Sequence, residues 1–70
     1  MRRYEVKAWT PLTLASGSKQ YTGTGNITTH DTFDEARDAA RKLHERDTAM
    51  MVTVFDALGG VIMFKLEPKE

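Results

Sequence analysis

Residues 32–46 read Thr32-Phe33-Asp34-Glu35-Ala36-Arg37-Asp38-Ala39-Ala40-Arg41-Lys42-Leu43-His44-Glu45-Arg46, and the signals in this stretch decide the fold. Thr32 followed by Glu35 is a capping box, in which the threonine hydroxyl accepts from the third helical N–H and the glutamate reaches back. Phe33, Ala36, Ala40, Leu43 and Asp47 recur at helical spacing. The apolar stripe is narrow and mostly alanine, so the helix can lie close on a sheet. Acidic residues (Asp34, Glu35, Asp38) fill the first turns and basic ones (Arg41, Lys42, Arg46) the later turns, matching the helix dipole. Asp38–Lys42 forms an i,i+4 pair in the favoured order and Arg41–Glu45 a reversed one, each worth a few tenths of a kcal/mol. The spacing predicts a helix from Phe33 to Arg46.

Upstream the period changes from helical to two. Tyr4, Val6 and Ala8 alternate with Glu5, Lys7 and Trp9, the pattern of a half-buried strand. Pro11 cannot donate to a ladder, so a bulge or interruption is expected there, with that end on a sheet edge. The alternation resumes at Leu12 and Leu14. A turn at Ala15-Ser16-Gly17-Ser18 then places Leu14 opposite Lys19, Leu12 opposite Tyr21, Ala8 opposite Gly25 and Val6 opposite Ile27. On the other face Trp9 meets Thr24, Lys7 meets Asn26 and Glu5 meets Thr28. Gly23 and Gly25 fall on the inner face, where a bulge or the close approach of the helix is the usual reason for glycine.

Downstream, Met50 to Asp56 and Val61 to Leu66 form a second hairpin around Ala57-Leu58-Gly59-Gly60. Val52, Val54, Ile62, Phe64 and Leu66 share one face. The other carries Met51, Phe55, Val61 and Met63, broken only by Thr53 and Lys65. Pro68 and the charged tail end the fold. The chain therefore reads as one α+β domain over residues 1–70: a hairpin at about 4–29, a helix at about 33–46 and a hairpin at about 50–66. The expected architecture is ββαββ, a four-stranded antiparallel sheet with one helix packed on one face.

One helix covers one side of such a sheet, and the opposite side should be polar. On the first hairpin it is; on the second it is not. Met51, Phe55, Val61 and Met63 make an apolar face that is either buried inside the domain or a dimer or partner surface, and methionine suits an adaptable one. A chain of 70 residues buries only about 60% of its unfolded surface, so self-association is the expected extra source of stability.

Composition closes several routes. There is no cysteine, which removes disulfides, zinc knuckles and thiol chemistry. His30 and His44 are too few for a typical zinc site, and no metal or other cofactor is called for. Ten basic and ten acidic residues give a formal net charge of zero, neither the excess of a DNA-binding domain nor that of a DNA mimic. No apolar run approaches a membrane span and no signal peptide is legible, so the expected location is cytoplasmic.

Catalysis needs a positioned acid, base or nucleophile. The serines sit only in the Ser16–Ser18 turn. His30-Asp31 reads as a loop or capping pair, and His44 as a solvated or boundary residue near the helix C-terminus. The chain is therefore read as not an enzyme. Nucleic acid is the competing ligand: Arg2, Arg3, Lys7 and Lys65 could share the open sheet face with Trp9, Phe55 and Thr24, the layout of a base-stacking sheet. Glu5 interrupts that patch.

The helix-then-hairpin half, Phe33 to Leu43 followed by Met51-Val52-Thr53-Val54-Phe55-Asp56 and Gly60-Val61-Ile62-Met63-Phe64, resembles small phage and mobile-element proteins. In length and layout it is similar to anti-CRISPR proteins that combine an antiparallel sheet with one helix. The resemblance implies an inhibitor that binds and occludes a host defence complex, with Lys7, Trp9, Lys19 and Lys65 as partner-binding residues. Two other readings stay open: a small nucleic-acid-binding protein using the open sheet face, and a structural homodimer.

Overall fold

A computed structural model of the chain describes residues 3–69, apart from the side chain of Asn26. Arg2 and the side chain of Asn26, both invoked above, lie outside the described residues. The elements in chain order are β1 (Tyr4–Thr13), β2 (Lys19–His30), α1 (Phe33–Arg46), β3 (Met51–Asp56) and β4 (Val61–Leu66). They form an α+β domain: one antiparallel sheet of order β2-β1-β3-β4, with α1 on one face. The link from β2 through α1 delivers β3 to the far side of β1, so β1 is paired along both edges.

The helix has the predicted bounds. Thr32 is extended, and its hydroxyl accepts from the Glu35 N–H at 3.2 Å. Ala36 and Ala40 are fully buried, and their small side chains bring α1 down onto Val6, Val52 and Val54. Each of these buried valines contributes about 1.5–3 kcal/mol. Tyr4, Phe33 and Phe64 close one end of the core through edge-on ring contacts, with centroids 5.9 and 6.4 Å apart.

Two details of the helix differ from the sequence reading. The buried stripe ends at His44 rather than Asp47, because Ala36, Ala40 and His44 follow strict four-residue steps, while Asp47 is the exposed C-cap. Asp38 lies 3.8 Å from Arg37 and Asp34 3.6 Å from it, so the acidic turn gathers around Arg37 rather than pairing Asp38 with Lys42. Such exposed pairs add little stability.

The register of the first hairpin also differs. The turn holds three residues, not four: Leu14 donates to the Ser18 carbonyl at 2.8 Å, and Gly17 donates to the Leu14 carbonyl at 2.9 Å. Gly17 adopts φ +88°, as the left-handed position of a three-residue hairpin loop requires. Thr13 consequently faces Lys19, Leu12 faces Gln20 and Pro11 faces Tyr21. The bulge is not at Pro11, which lies beyond the last β3 pairing (Trp9 with Met51), where β1 has β2 on one side only. It falls at Ala8, opposite which Thr24, Gly25 and Asn26 stand between the pairs Trp9–Gly23 and Lys7–Ile27. Gly25, at φ +84°, supplies the left-handed turn of that bulge. Val6 then faces Thr28 and Glu5 faces Thr29, putting Ile27 beside Lys7 instead of opposite Val6.

Past Trp9, residues 10–13 and 19–22 continue as a two-stranded arm, and the molecule measures 42 × 24 × 18 Å. Leu12 and Tyr21 are exposed on this arm.

The second hairpin turns as predicted. Gly60, at φ +67°, donates to the Asp56 carbonyl at 2.7 Å, while the Asp56 carboxylate accepts from the Leu58 N–H at 3.0 Å. A second register shift lies between Val54–Phe64 and Phe55–Ile62. It places Ile62 opposite Phe55 on the face away from the helix, not in the helix-side row expected for it, and sets Val61 opposite Asp56.

Candidate functional site

The face of the sheet away from α1 is built from three cross-strand rows. Trp9 lies between Gly23 and Met51; Lys7 lies between Ile27 and Thr53, with Lys65 next in line; Glu5 lies between Thr29 and Phe55, with Ile62 beyond. Bulges at Ala8 and at Met63 fix which residues share these rows, since a slip of one residue moves a side chain to the opposite face.

Trp9 is the anchor of this face. Its indole covers Gly23, so close that a β-carbon there would stand 3.8 Å from Cζ3, and Nε1 donates to Thr53 Oγ1 at 2.9 Å. Thr53 is only 1% exposed. A buried indole N–H needs such a partner, and the lone polar residue in Met51–Phe55 provides it. Lys7 lies across the two aromatic rings, its Nζ 5.7 Å from the Trp9 centroid and 5.5 Å from that of Phe55. Cation–π contacts of this kind contribute about 0.5–2 kcal/mol each. Lys65 Nζ sits 3.0 Å from Glu67.

Of the residues singled out from the sequence, Lys7, Trp9, Phe55, Met51 and Lys65 share this face, with Met51 and Phe55 half-buried. Val61 and Met63 are exposed on β4, Val61 in the row of Tyr4 and Asp56 rather than beside Phe55 as expected, and Lys19 stands apart at the tip of the arm, opposite Thr13. Thr24 is not on the patch, because its hydroxyl donates to the Ala8 carbonyl at 3.2 Å within the bulge. Ile27 and Ile62, each 51% exposed, are additions that the unbulged register hid. Thr53 entered the sequence reading only as a break in the apolar face, and its bond to the indole depends on the β1–β3 pairing.

Elsewhere the polar groups hold the fold together. His44 is buried, not solvated: Nε2 lies 2.8 Å from the Glu67 carbonyl, tying the chain after β4 to the helix. Arg3 grips Asp56 through Nε at 3.4 Å and Nη2 at 3.1 Å. That hydrogen bond, with the one from Leu58 N–H, holds the Asp56 carboxyl below its ordinary range. His30 Nε2 lies 2.9 Å from Thr28 Oγ1. Two shallow open grooves flank the sheet. One, of about 350 Å³, lies between the end of α1 and β2 beside Leu43 and Arg46. The other, of about 370 Å³, lies between the arm and Pro68. Thr13, Lys19, Tyr21, Glu67 and Lys69 supply its polar lining. Among the described residues no three His, Asp or Glu side chains cluster as metal ligands, and no helix is long and apolar enough to cross a membrane.

No protein-family model, curated protein or solved structure matches the chain.

Proposed function

We propose that the chain is a non-catalytic protein-binding module that docks its open sheet face on a partner protein. The observation that carries this reading is the state of the charges and rings on that face. The Lys7 ammonium is spent on Trp9 and Phe55, and Lys65 is paired with Glu67. The indole N–H is spent on Thr53, while Ile27 and Ile62 stand half exposed at either side. A surface with its cations engaged and its aliphatic groups open suits an apolar protein patch. It suits stacked bases less well, since Lys7 already occupies the rings that bases would use.

In its narrower form the partner is a host defence complex, and the module is a phage or mobile-element inhibitor acting by occlusion. This form rests on the resemblance of the helix-then-hairpin half to such inhibitors.

Capture from a bacterial lysate with wild type, Ile27→Asp and Lys42→Ala tests the reading. A partner retained by wild type and Lys42→Ala but lost by Ile27→Asp is the expected result. Binding of single-stranded oligonucleotides at low salt, lost in Lys7→Ala/Lys65→Ala, would replace it with the nucleic-acid reading.

A further inference from the structure

The two edges of the sheet are not alike. β2, at one edge, is largely Thr, Gln and Gly and is broken by the bulge at Gly25. β4, at the other, begins Val61-Ile62-Met63-Phe64 with neither a charge nor a proline. Exposed edges are normally blunted by lysine, proline or a bulge, and within this run only the bulge at Met63 is present. Lys65, the first charge, turns onto Glu67.

Exposure along β4 identifies what is open. Val61, Ile62 and Met63 are 56, 51 and 49% exposed. β4 is the last strand of the sheet, so its outer edge has no strand neighbour among the described residues, and these apolar side chains stand along it.

We infer that β4 pairs antiparallel with β4 of a second copy across a two-fold axis. The run is self-complementary: laid antiparallel on itself, apolar residues meet apolar residues, and Lys65 and Glu67 fall outside it. A two-fold contact uses the same strand on both subunits, and each strand brings the donors and acceptors the other lacks. Net charge is zero, so the copies do not repel one another. Pairing extends the sheet through both subunits and adds apolar burial to a core whose fully buried apolar residues are small, four of them valine or alanine around Ala36 and Ala40. This goes beyond the docking of the open face and is separable from it, because Ile27→Asp alters that face at β2 and leaves the β4 edge intact.

Light scattering on the full chain across a concentration series tests the inference, with Met63→Lys and Leu12→Lys as variants. Wild type and Leu12→Lys should rise from monomer to dimer mass. Met63→Lys, folded by circular dichroism, should raise the dimer dissociation constant roughly a hundredfold, because it places like charges at a desolvated contact. In wild type, amide exchange within β4 should slow as concentration rises, a readout that needs no variant. A monomer at every concentration, assembly beyond a dimer, a dimer indifferent to Met63→Lys or lost in Leu12→Lys, or β4 exchange independent of concentration would each overturn it.

Discussion

Trp9 of β1 and Thr53 of β3 are joined by a 2.9 Å hydrogen bond from the indole N–H to the threonine hydroxyl, directly beside the pairing of Lys7 with Thr53. The bond locks the only tryptophan of the chain flat against the sheet, over Gly23. Lys7 rests on that fixed ring, so one buried hydroxyl on the central strand pair orders the middle of the candidate binding face.

Thr53→Val keeps the volume and removes the acceptor. Urea denaturation should show a loss of about 1–3 kcal/mol, the cost of a buried donor left unsatisfied. Tryptophan fluorescence should shift red as the indole loosens, and partner capture should fall with it. An unchanged emission spectrum would show that Thr53 does not hold the ring.

The glycines of β2 separate two kinds of requirement. Gly25 has a left-handed backbone with open space where a β-carbon would stand, so Gly25→Ala should cost about 1–2 kcal/mol through the backbone alone. At Gly23 an added methyl meets Trp9 at ordinary contact distance, and Gly23→Ala should be neutral within about 0.5 kcal/mol. Equal effects at the two positions in thermal melts would remove the bulge as the reason for Gly25.

The Arg3–Asp56 pair sets an acid limb to stability. Its carboxyl is held below the ordinary value of about 3.9, first by the Arg3 hydrogen bond and next by the Leu58 N–H. A carboxyl depressed in the folded state stabilises fully above its unfolded value, and that contribution is lost as pH falls through the folded value. Asp56→Asn should therefore flatten the fall in stability on acidification below about pH 4 and leave the neutral limb's slope unchanged. Added salt should weaken the wild-type effect, since the guanidinium is half exposed. Parallel acid limbs in wild type and variant would assign the fall to other groups.

The bounds of the helix were legible, because capping box, charge gradient and apolar spacing are local signals that agree with one another along one segment. Both hairpins were legible as strands and turns for the same reason: alternation and glycine placement are read within a few residues. The face of β1 that carries Trp9 and Lys7 followed from alternation alone. What alternation could not give was position across strands. Gly17 closes a three-residue loop, Gly25 opens a bulge and Met63 another, and each displaces the pairing by a residue or more without altering composition. Thr24 thereby left the candidate face, and Ile27 and Ile62 joined it.

His44 is a second instance. Beside charged neighbours it reads as a solvated or boundary residue, yet the chain after β4 returns to bring the Glu67 carbonyl to its ring. That contact spans elements distant in sequence and leaves no periodic trace. The sequence by itself determined the elements, their order, the helix bounds and the apolar character of β4, because these depend on backbone preferences and short-range spacing. Only the tertiary structure decided the strand order β2-β1-β3-β4, the register, the lysine lying across two rings and the uncovered β4 edge. These depend on which strands meet and where bulges slip them, and loop closure and packing settle both together.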